Sequence, residues 1–164
     1  MVITFEELTE EKLQIVKEIY EYYIENSTAT FHTGSISLPE IREFIPLGHP
    51  VYKSYLMRSD GVICGYCYLS PYKKRQAYDR TAEITVYLKK EFTGRGIGRL
   101  ALQRLEKEAR PTFIKVLMGI ITADNIQSIQ LFIREGYEKC AHFKEVGEKF
   151  GKILDVVAFQ KFIG

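Results

Sequence analysis

The chain has 164 residues, the length of one ordinary domain, and its 46% hydrophobic and 27% charged residues are the usual balance of a globular protein with a full core. A formal net charge of +2, with Lys73-Lys74-Arg75 as the only notable basic run, argues against a nucleic-acid-binding protein. No run approaches the roughly 20 apolar residues of a membrane span, and the acidic N-terminal segment lacks the apolar core of a signal peptide.

Three cysteines are too few, and odd in number, for a disulfide framework, so we expect a reducing, cytoplasmic location. Cys64 and Cys67 form a C-x-x-C, but no second pair exists. Strand alternation would also place these two residues on opposite faces of a sheet. We therefore expect buried structural cysteines and no metal site. The sequence has no repeat and no linker, which predicts one domain over residues 1–164.

The first half of the chain predicts a strand at residues 2–5, two helices and a β-hairpin. Thr9 is predicted to cap the first helix, and the second is predicted to begin at Pro39 with Ile41 and Phe44 buried. Strands over residues 51–57 and 62–69 are joined by a turn at residues 58–61. The apolar face of the first helix is predicted to consist of Leu13, Val16, Ile19, Tyr20, Tyr23 and Ile24.

The second half predicts a strand from Thr81, a helix ended by Pro111, and a buried strand over residues 113–121. Asp124 or Asn125 is predicted to cap a last helix that ends at Gly136. Strands over residues 137–146 and 153–162 close the chain. The last helix is predicted to bury one face formed by Ile126, Ile129, Phe132 and Ile133. The order β-α-α-β-β-β-α-β-α-β-β predicts the α/β class, a mixed sheet with helices on both faces.

A glycine-rich turn, residues 93–98, connects the strand from Thr81 to a helix. Unpaired N–H groups at a helix start attract anions, and glycines let the backbone approach them closely. Arg95 and Arg99 add positive charge there. The turn lacks the Gly-Lys-Ser/Thr ending of a P-loop, and no acidic residue follows at the distance that a dinucleotide fingerprint requires. A helix start that merely tolerates glycines remains an alternative.

The spacing of this turn resembles the pyrophosphate loop of the GNAT N-acetyltransferases, which binds coenzyme A. A longer resemblance, to the phosphinothricin and methionine sulfone/sulfoximine N-acetyltransferases, extends over nearly the whole chain. It is carried by YLSPYKKRQAYDRTAEITVYL (residues 68–88), YIENSTATF (residues 23–31) and KFGKILDVVAFQ (residues 149–160). The resemblance implies the GNAT fold and acetyl-CoA as co-substrate. It also implies a small amine or amino-acid acceptor and a homodimer.

The resemblance implies that Glu83 is the general base. An amine must be neutral to attack an acetyl group, and a carboxylate beside that group could take its proton. An exposed charge on the polar face of the strand is the alternative for Glu83. The resemblance further assigns the coenzyme to Val86, Tyr87, Leu88, Gly94, Arg95, Gly96, Ile97, Gly98, Arg99 and Asn125. Backbone groups of the strand would bind pantetheine and the acetyl carbonyl, while capping alone also explains Asn125.

Lys73, Arg75 and Tyr78 are predicted to bind the acceptor because they supply cations and a hydroxyl for a carboxylate and a polar side chain. Phe31 is predicted to form an apolar wall. A solvated basic loop, and ordinary packing of Phe31, are the alternatives.

The sequence departs from the family pattern at several positions. Phe132 stands where the subfamily has histidine and many relatives have a tyrosine that acts as general acid. Thr93 replaces the usual arginine or glutamine, and His32 replaces an arginine. We expect acetyl transfer by direct attack on a small polar amino acid. A polyamine, aminoglycoside or protein N-terminus as acceptor, or a non-catalytic acyl-CoA sensor, are the alternatives.

Overall fold

In the computed structural model, which describes residues 1–164, seven strands form one mixed sheet. The strands are β1 (Ile3–Glu7), β2 (Ser54–Ser59), β3 (Val62–Pro71), β4 (Thr81–Leu88), β5 (Val116–Thr122), β6 (Glu138–Lys149) and β7 (Lys152–Phe162). The helices are α1 (Leu13–Asn26), α2 (Leu38–Phe44), α3 (Ile97–Ala109) and α4 (Ile126–Arg134). The predicted element order and the mixed α/β class are therefore confirmed.

The strand order across the sheet is β1-β2-β3-β4-β5-β7-β6. Only β4 and β5 run parallel, and every other neighbouring pair is antiparallel. Both ends of the chain contribute strands to this one sheet. That arrangement supports our proposal of a single domain.

Helices cover both faces of the sheet, as predicted. α3 and α4 pack on one face over a buried core that includes Leu102, Leu117 and Phe132. α1 and α2 cover the other face, where Val16 and Tyr66 are among the buried residues. Strand β4 is thus shared by two cores, and its alternating side chains point to opposite layers.

The helix starts differ from the predicted ones. Thr9 does not cap α1, because a 3₁₀ turn over Glu10–Lys12 intervenes and the Thr9 side chain makes no capping hydrogen bond. Helix α2 begins one residue before Pro39. Ser37 and Glu40 form a reciprocal capping box there, which satisfies two backbone N–H groups at the helix start.

Cys64 and Cys67 are buried free thiols, as expected, but the prediction that they face opposite sides of the sheet was wrong. Met57 pairs with Gly65 and Arg58 pairs with Ile63, so Cys64 is an extra residue in β3. Such a bulge breaks the alternation of the strand. Both thiols consequently lie in the core beneath α3.

Helix α4 buries a narrower face than predicted. Phe132 is buried and Ile129 packs against the core, whereas Ile126 and Ile133 are 56% and 55% exposed. Gly136 follows the C-cap residue Glu135 and closes the helix, as predicted, with φ +90°, a left-handed conformation that glycine adopts readily. Strands β2 and β5 each begin three residues later than predicted, at Ser54 and Val116.

Candidate active site

The parallel strands β4 and β5 diverge partway along their length. They pair only from Thr81–Val116 to Glu83–Met118. Beyond that point β4 stays paired with β3 as far as Leu88, and β5 stays paired with β7. The edge of β4 that faces β5 therefore has no partner strand over its second half. An unpaired strand edge of this kind can bind an extended ligand through its main chain.

A packing contact lies at the start of this opening. The ring of Phe132 from α4 packs directly over Gly119 of β5, where any Cβ atom would overlap the ring. Phe132 also meets Tyr137 edge to face, with ring centroids 4.8 Å apart. Aromatic packing therefore occupies this position, and the Phe132 side chain has no proton to donate.

A cavity of about 710 Å³ fills the opening between the two strands. It is bounded by the second half of β4, the glycine turn, and the first turns of α3 and α4. The end of α1 forms the remaining side. Nine of the ten residues predicted to bind the coenzyme line it: Val86, Tyr87, Leu88, Gly94, Gly96, Ile97, Gly98, Arg99 and Asn125. Arg95 does not line it, because its guanidinium lies over the ring of Phe92, 5.2 Å from the centroid.

The glycine turn has the backbone conformation that an anion cradle requires. Gly94 and Gly96 adopt φ of +74° and +82°, which side-chain-bearing residues rarely adopt. Gly96 is the N-cap of α3, so the free N–H groups of the first helical turn point out of this turn. The parted strand edge and the glycine turn together fit the pantetheine and pyrophosphate of a coenzyme A thioester.

The charges around this cavity are mixed. Lys90 and Arg134 line it in addition to Arg99. The Arg99 guanidinium lies 3.6 Å from the carboxylate of Glu135, and its side chain is largely exposed. The Asn125 side-chain oxygen accepts a hydrogen bond of 3.2 Å from the backbone N–H of Ser128, so Asn125 caps α4 as predicted.

A second, smaller cavity of about 310 Å³ lies on the α1 and α2 side of the sheet. Glu83 lines it, and the other lining residues come from six separate segments of the chain: Tyr20, His32, Phe44, Tyr68, Ser70, Thr85, Tyr87 and Ile120. Three of these residues, Thr85, Tyr87 and Ile120, also line the larger cavity. The two cavities therefore meet beside Glu83, at the point where β4 and β5 part.

Glu83 is the only carboxylate in the smaller cavity. Burial raises the pKa of its carboxyl above the ordinary value, and the positive charge of Lys73 lowers it by less. A carboxylate destabilised in this way holds a proton more strongly than a surface glutamate does. The ionised form of this carboxylate can accept a proton from an amine.

Tyr20 and His32 form a hydrogen-bonded group in the same cavity. The Tyr20 hydroxyl is bonded to the hydroxyl of Thr30 and to Nδ1 of His32. Burial raises the pKa of Tyr20, so its hydroxyl remains protonated at neutral pH. From the sequence, Tyr20 was predicted only as part of the buried face of α1. Its hydrogen bond to His32 in the cavity depends on the fold of the loop that follows α1.

The four residues predicted to bind the acceptor lie outside the smaller cavity. Lys73, Arg75 and Tyr78 are exposed on the loop before β4, although Lys73 is near enough to affect Glu83. Phe31 packs against Gly147 of β6. The predicted acceptor residues did not include the aromatic and hydroxyl side chains that do line the cavity. His32 and Tyr68 lie at the borders of segments that strongly resemble the family, and this resemblance was the available sign that they belong to the site.

Two tyrosine hydroxyls, one beside Phe132 and one at the larger cavity, are already engaged in hydrogen bonds. The Tyr137 hydroxyl donates a 3.1 Å hydrogen bond to Glu106, and burial raises the pKa of Tyr137. The Tyr23 hydroxyl, which lines the larger cavity, donates to the carbonyl of Leu88, and burial raises the pKa of Tyr23 to about 12. An ordinary thiol has a pKa of about 8.5, so neither tyrosine has a pKa suited to protonating a thiolate.

Comparison with known families identifies this architecture. Residues 16–137 match the model of the acetyltransferase (GNAT) family. The chain belongs to the GNAT family. It is thus an acetyl-CoA-dependent N-acetyltransferase, and the resemblance seen in its motifs is confirmed.

Its named relatives are similar along most of their length. The chain is 31% identical to a phosphinothricin N-acetyltransferase of Streptomyces coelicolor over 93% of this chain and 91% of the relative. It is 30% identical to the L-methionine sulfoximine/L-methionine sulfone acetyltransferase of Salmonella typhimurium, over 88% and 85%. A phosphinothricin acetyltransferase from Sinorhizobium meliloti, solved in complex with AcCoA, superposes with a TM-score of 0.92 at 27% identity, covering 100% of this chain and 90% of that one.

Two further findings concern metal binding and membrane-spanning helices. No group of three or more histidine, cysteine, aspartate or glutamate side chains is placed to hold a metal ion. None of the four helices is long and apolar enough to cross a membrane.

Proposed function

We propose that this enzyme acetylates the α-amino group of a small polar amino acid, with Glu83 as general base. The observation that carries the proposal is the meeting of the two cavities at Thr85, Tyr87 and Ile120, beside Glu83. An acceptor in the smaller cavity would present its amine to a group held along β4. The volume of about 310 Å³ suits a small amino acid. The relatives named for phosphinothricin and for methionine sulfoximine and sulfone support the same class of acceptor.

Acetyl-CoA supplies a thioester whose carbonyl carbon accepts the amine and whose sulfur leaves. The residues of this chain would orient the two substrates and move the proton. The β4 edge and the glycine turn hold the larger substrate, while Tyr20, Tyr68 and Tyr87 enclose the acceptor. Glu83 takes the proton that the amine loses, directly or through water. Lys73 and Arg75, on the neighbouring loop, would attract the carboxylate of the acceptor at the cavity mouth.

The departure of sulfur needs no side-chain acid. A thiol of ordinary pKa about 8.5 leaves as a thiolate without prior protonation. The buried aromatic ring at Phe132 is compatible with this route, since it excludes water without offering a proton.

The proposal is tested by release of free thiol from acetyl-CoA with a panel of acceptors. Methionine sulfone, methionine sulfoximine, phosphinothricin and the common amino acids form the first group, and spermidine and an aminoglycoside form the second. We expect turnover in the first group only. Turnover confined to the second group would contradict the proposed acceptor class. Binding of acetyl-CoA without turnover on any acceptor would instead indicate a non-catalytic acyl-CoA sensor.

The His32 position is expected to set the preference within the first group. The smaller cavity is lined by one carboxylate and by no lysine or arginine, and His32 is its one basic lining residue. We expect His32→Arg to raise the ratio of kcat/KM for phosphinothricin over that for methionine sulfone about tenfold, because a guanidinium can pair with the anionic phosphinate. Steady-state kinetics on both acceptors measures this ratio. His49→Arg, in a loop outside both cavities, is the control, and an unchanged or lower ratio would contradict the prediction.

A further inference from the structure

Lys149, at the end of β6, carries a buried ammonium group. The residue is 3% exposed, although lysine is almost never buried without partners. Burial lowers the pKa of Lys149. A turn with left-handed residues Phe150 and Gly151 follows immediately, so Lys149 sits at the tip of the β6–β7 hairpin. A hydrophobic side chain would fill such a place without the several kcal/mol that burying an ion costs.

The hydrogen-bond partners of this ammonium are all main-chain carbonyls of one segment, and the ring of Phe150 lies beside it, with its centroid 5.1 Å from Nζ. Its Nζ donates to the carbonyl oxygens of Ser27 at 2.7 Å and Thr30 at 2.8 Å, and makes a longer contact of 3.5 Å with that of Tyr23. Three donors thus meet three acceptors. Tyr23 and Ser27 belong to the C-terminal end of α1, where the helix dipole favours a cation. We call residues 27–32 the α1 exit loop.

The α1 exit loop forms a wall of both cavities. Ser27, Thr28 and Ala29 line the larger cavity, and His32 lines the smaller one. Thr30, whose carbonyl accepts from Lys149, is also bonded through its hydroxyl to Tyr20, the partner of His32. The position of one ammonium is therefore coupled, through a few hydrogen bonds, to both substrate sites.

The same loop has only a few other attachments. The Thr122 hydroxyl donates to the carbonyl of Thr28 at 2.7 Å, and the Thr28 hydroxyl donates to Asp124 at 2.8 Å. The Phe31 ring packs on Gly147 of the hairpin. The loop itself belongs to no helix or strand. Lys149 is the one side chain that bonds two main-chain carbonyls of the loop, those of Ser27 and Thr30.

We propose that Lys149 is a positioning residue for acetyl transfer: it fixes the α1 exit loop in the conformation that binds acetyl-CoA and the acceptor. The inference rests on the N-acetyltransferase activity and on the two-cavity site, and it does not depend on which amino acid is acetylated. Lys149 touches neither cavity, and it acts through the loop.

The test is Lys149→Met, which keeps a long unbranched side chain and removes the charge. We expect the Kd for acetyl-CoA to rise about tenfold because the loop is no longer preorganised. Isothermal titration without acceptor measures this value, so failure of the acceptor panel leaves the test intact. We also expect faster amide hydrogen exchange in residues 27–32. Lys149→Arg, which can still donate to several carbonyls, should stay within about threefold of the parent protein.

Lys144→Met is the matched control, since Lys144 lies exposed on the same strand and should leave Kd and exchange unchanged. A folded Lys149→Met protein with Kd within twofold of the parent value and unaltered exchange in residues 27–32 would overturn the proposal. If Lys149→Met does not fold, exchange in the parent protein and in Lys149→Arg decides. Slow exchange of residues 27–32 in both supports the proposal, and exchange as fast as that of an unfolded chain refutes it.

Discussion

Replacing Glu83 with glutamine is expected to lower kcat by a factor on the order of 10² to 10⁴, the usual contribution of a positioned general base. Glutamine keeps the shape of the side chain and can still form hydrogen bonds, but it cannot accept a proton from the amine. The Kd for acetyl-CoA should stay unchanged, because Glu83 lines the smaller cavity and not the larger one. Steady-state thiol release and calorimetric titration measure the two effects separately.

The pH dependence of kcat provides a second measure of the same assignment. Burial raises the pKa of Glu83, so the carboxylate becomes protonated, and kcat falls, at a higher pH than for an exposed glutamate. This acid limb should vanish in Glu83→Gln. The parameter must be kcat at saturating acceptor, because kcat/KM also reports the ionisation of the free amine.

The raised pKa of Glu83 also affects the stability of the folded protein. The ionised carboxylate that catalysis requires is the form that destabilises the fold. Ionised Glu83 is disfavoured in the folded state, so it lowers the free energy of unfolding at any pH above its pKa. Glu83→Gln should therefore melt no lower than the parent protein at pH 7. Glu138→Gln, exposed at the start of β6, is the matched control for the loss of one charge. A Glu83→Gln enzyme with an unchanged kcat would show that water or another group accepts the proton.

The cavity proposed to hold the coenzyme could be predicted in part from the sequence because the predicted residues lie close together in the chain. One strand, one turn and one helix start, all within residues 81–99, supply all of these predicted residues except Asn125, and their glycine spacing reflects backbone angles that are realised in the fold. Arg95 is the exception. Its guanidinium stacks on Phe92, three residues earlier, and no sequence pattern indicates to which side of a turn a flexible side chain points.

The smaller cavity could not be predicted in the same way because its lining comes from distant parts of the chain. Tyr20, Phe44 and Tyr68 fit the hydrophobic patterns of their own elements, and only the packing of α1 and α2 on the sheet brings them to Glu83. Lys73, Arg75 and Tyr78 were instead predicted for their charges and hydroxyl, and they lie on a surface loop. The Cys64 bulge illustrates the same limit, since an extra residue in β3 is defined by its pairing with β2.

The second large effect is expected at Gly96, the N-cap of α3. Its φ of +82° is left-handed, a conformation that costs an ordinary residue about 1–2 kcal/mol and a β-branched residue more. Apart from its neighbours in the chain, nothing in the protein lies within 4 Å of a Cβ placed at Gly96, so a substitution there acts through the backbone angle and not through a clash. In Gly96→Val the turn should relax to a different angle, and binding of acetyl-CoA must restore the strained one.

We therefore expect Gly96→Val to raise the Kd for acetyl-CoA about 10- to 30-fold, which is the binding equivalent of that strain. Gly96→Asn is the matched control. Asparagine adopts left-handed angles far more readily than valine does, so its Kd should lie within about threefold of the parent value. Titration calorimetry measures both, and melting curves verify that both variants are folded. Equal weakening by valine and asparagine would mean that the absence of a side chain, and not the backbone angle, is what the pyrophosphate requires at this position. No weakening by either would remove the glycine turn from the coenzyme site.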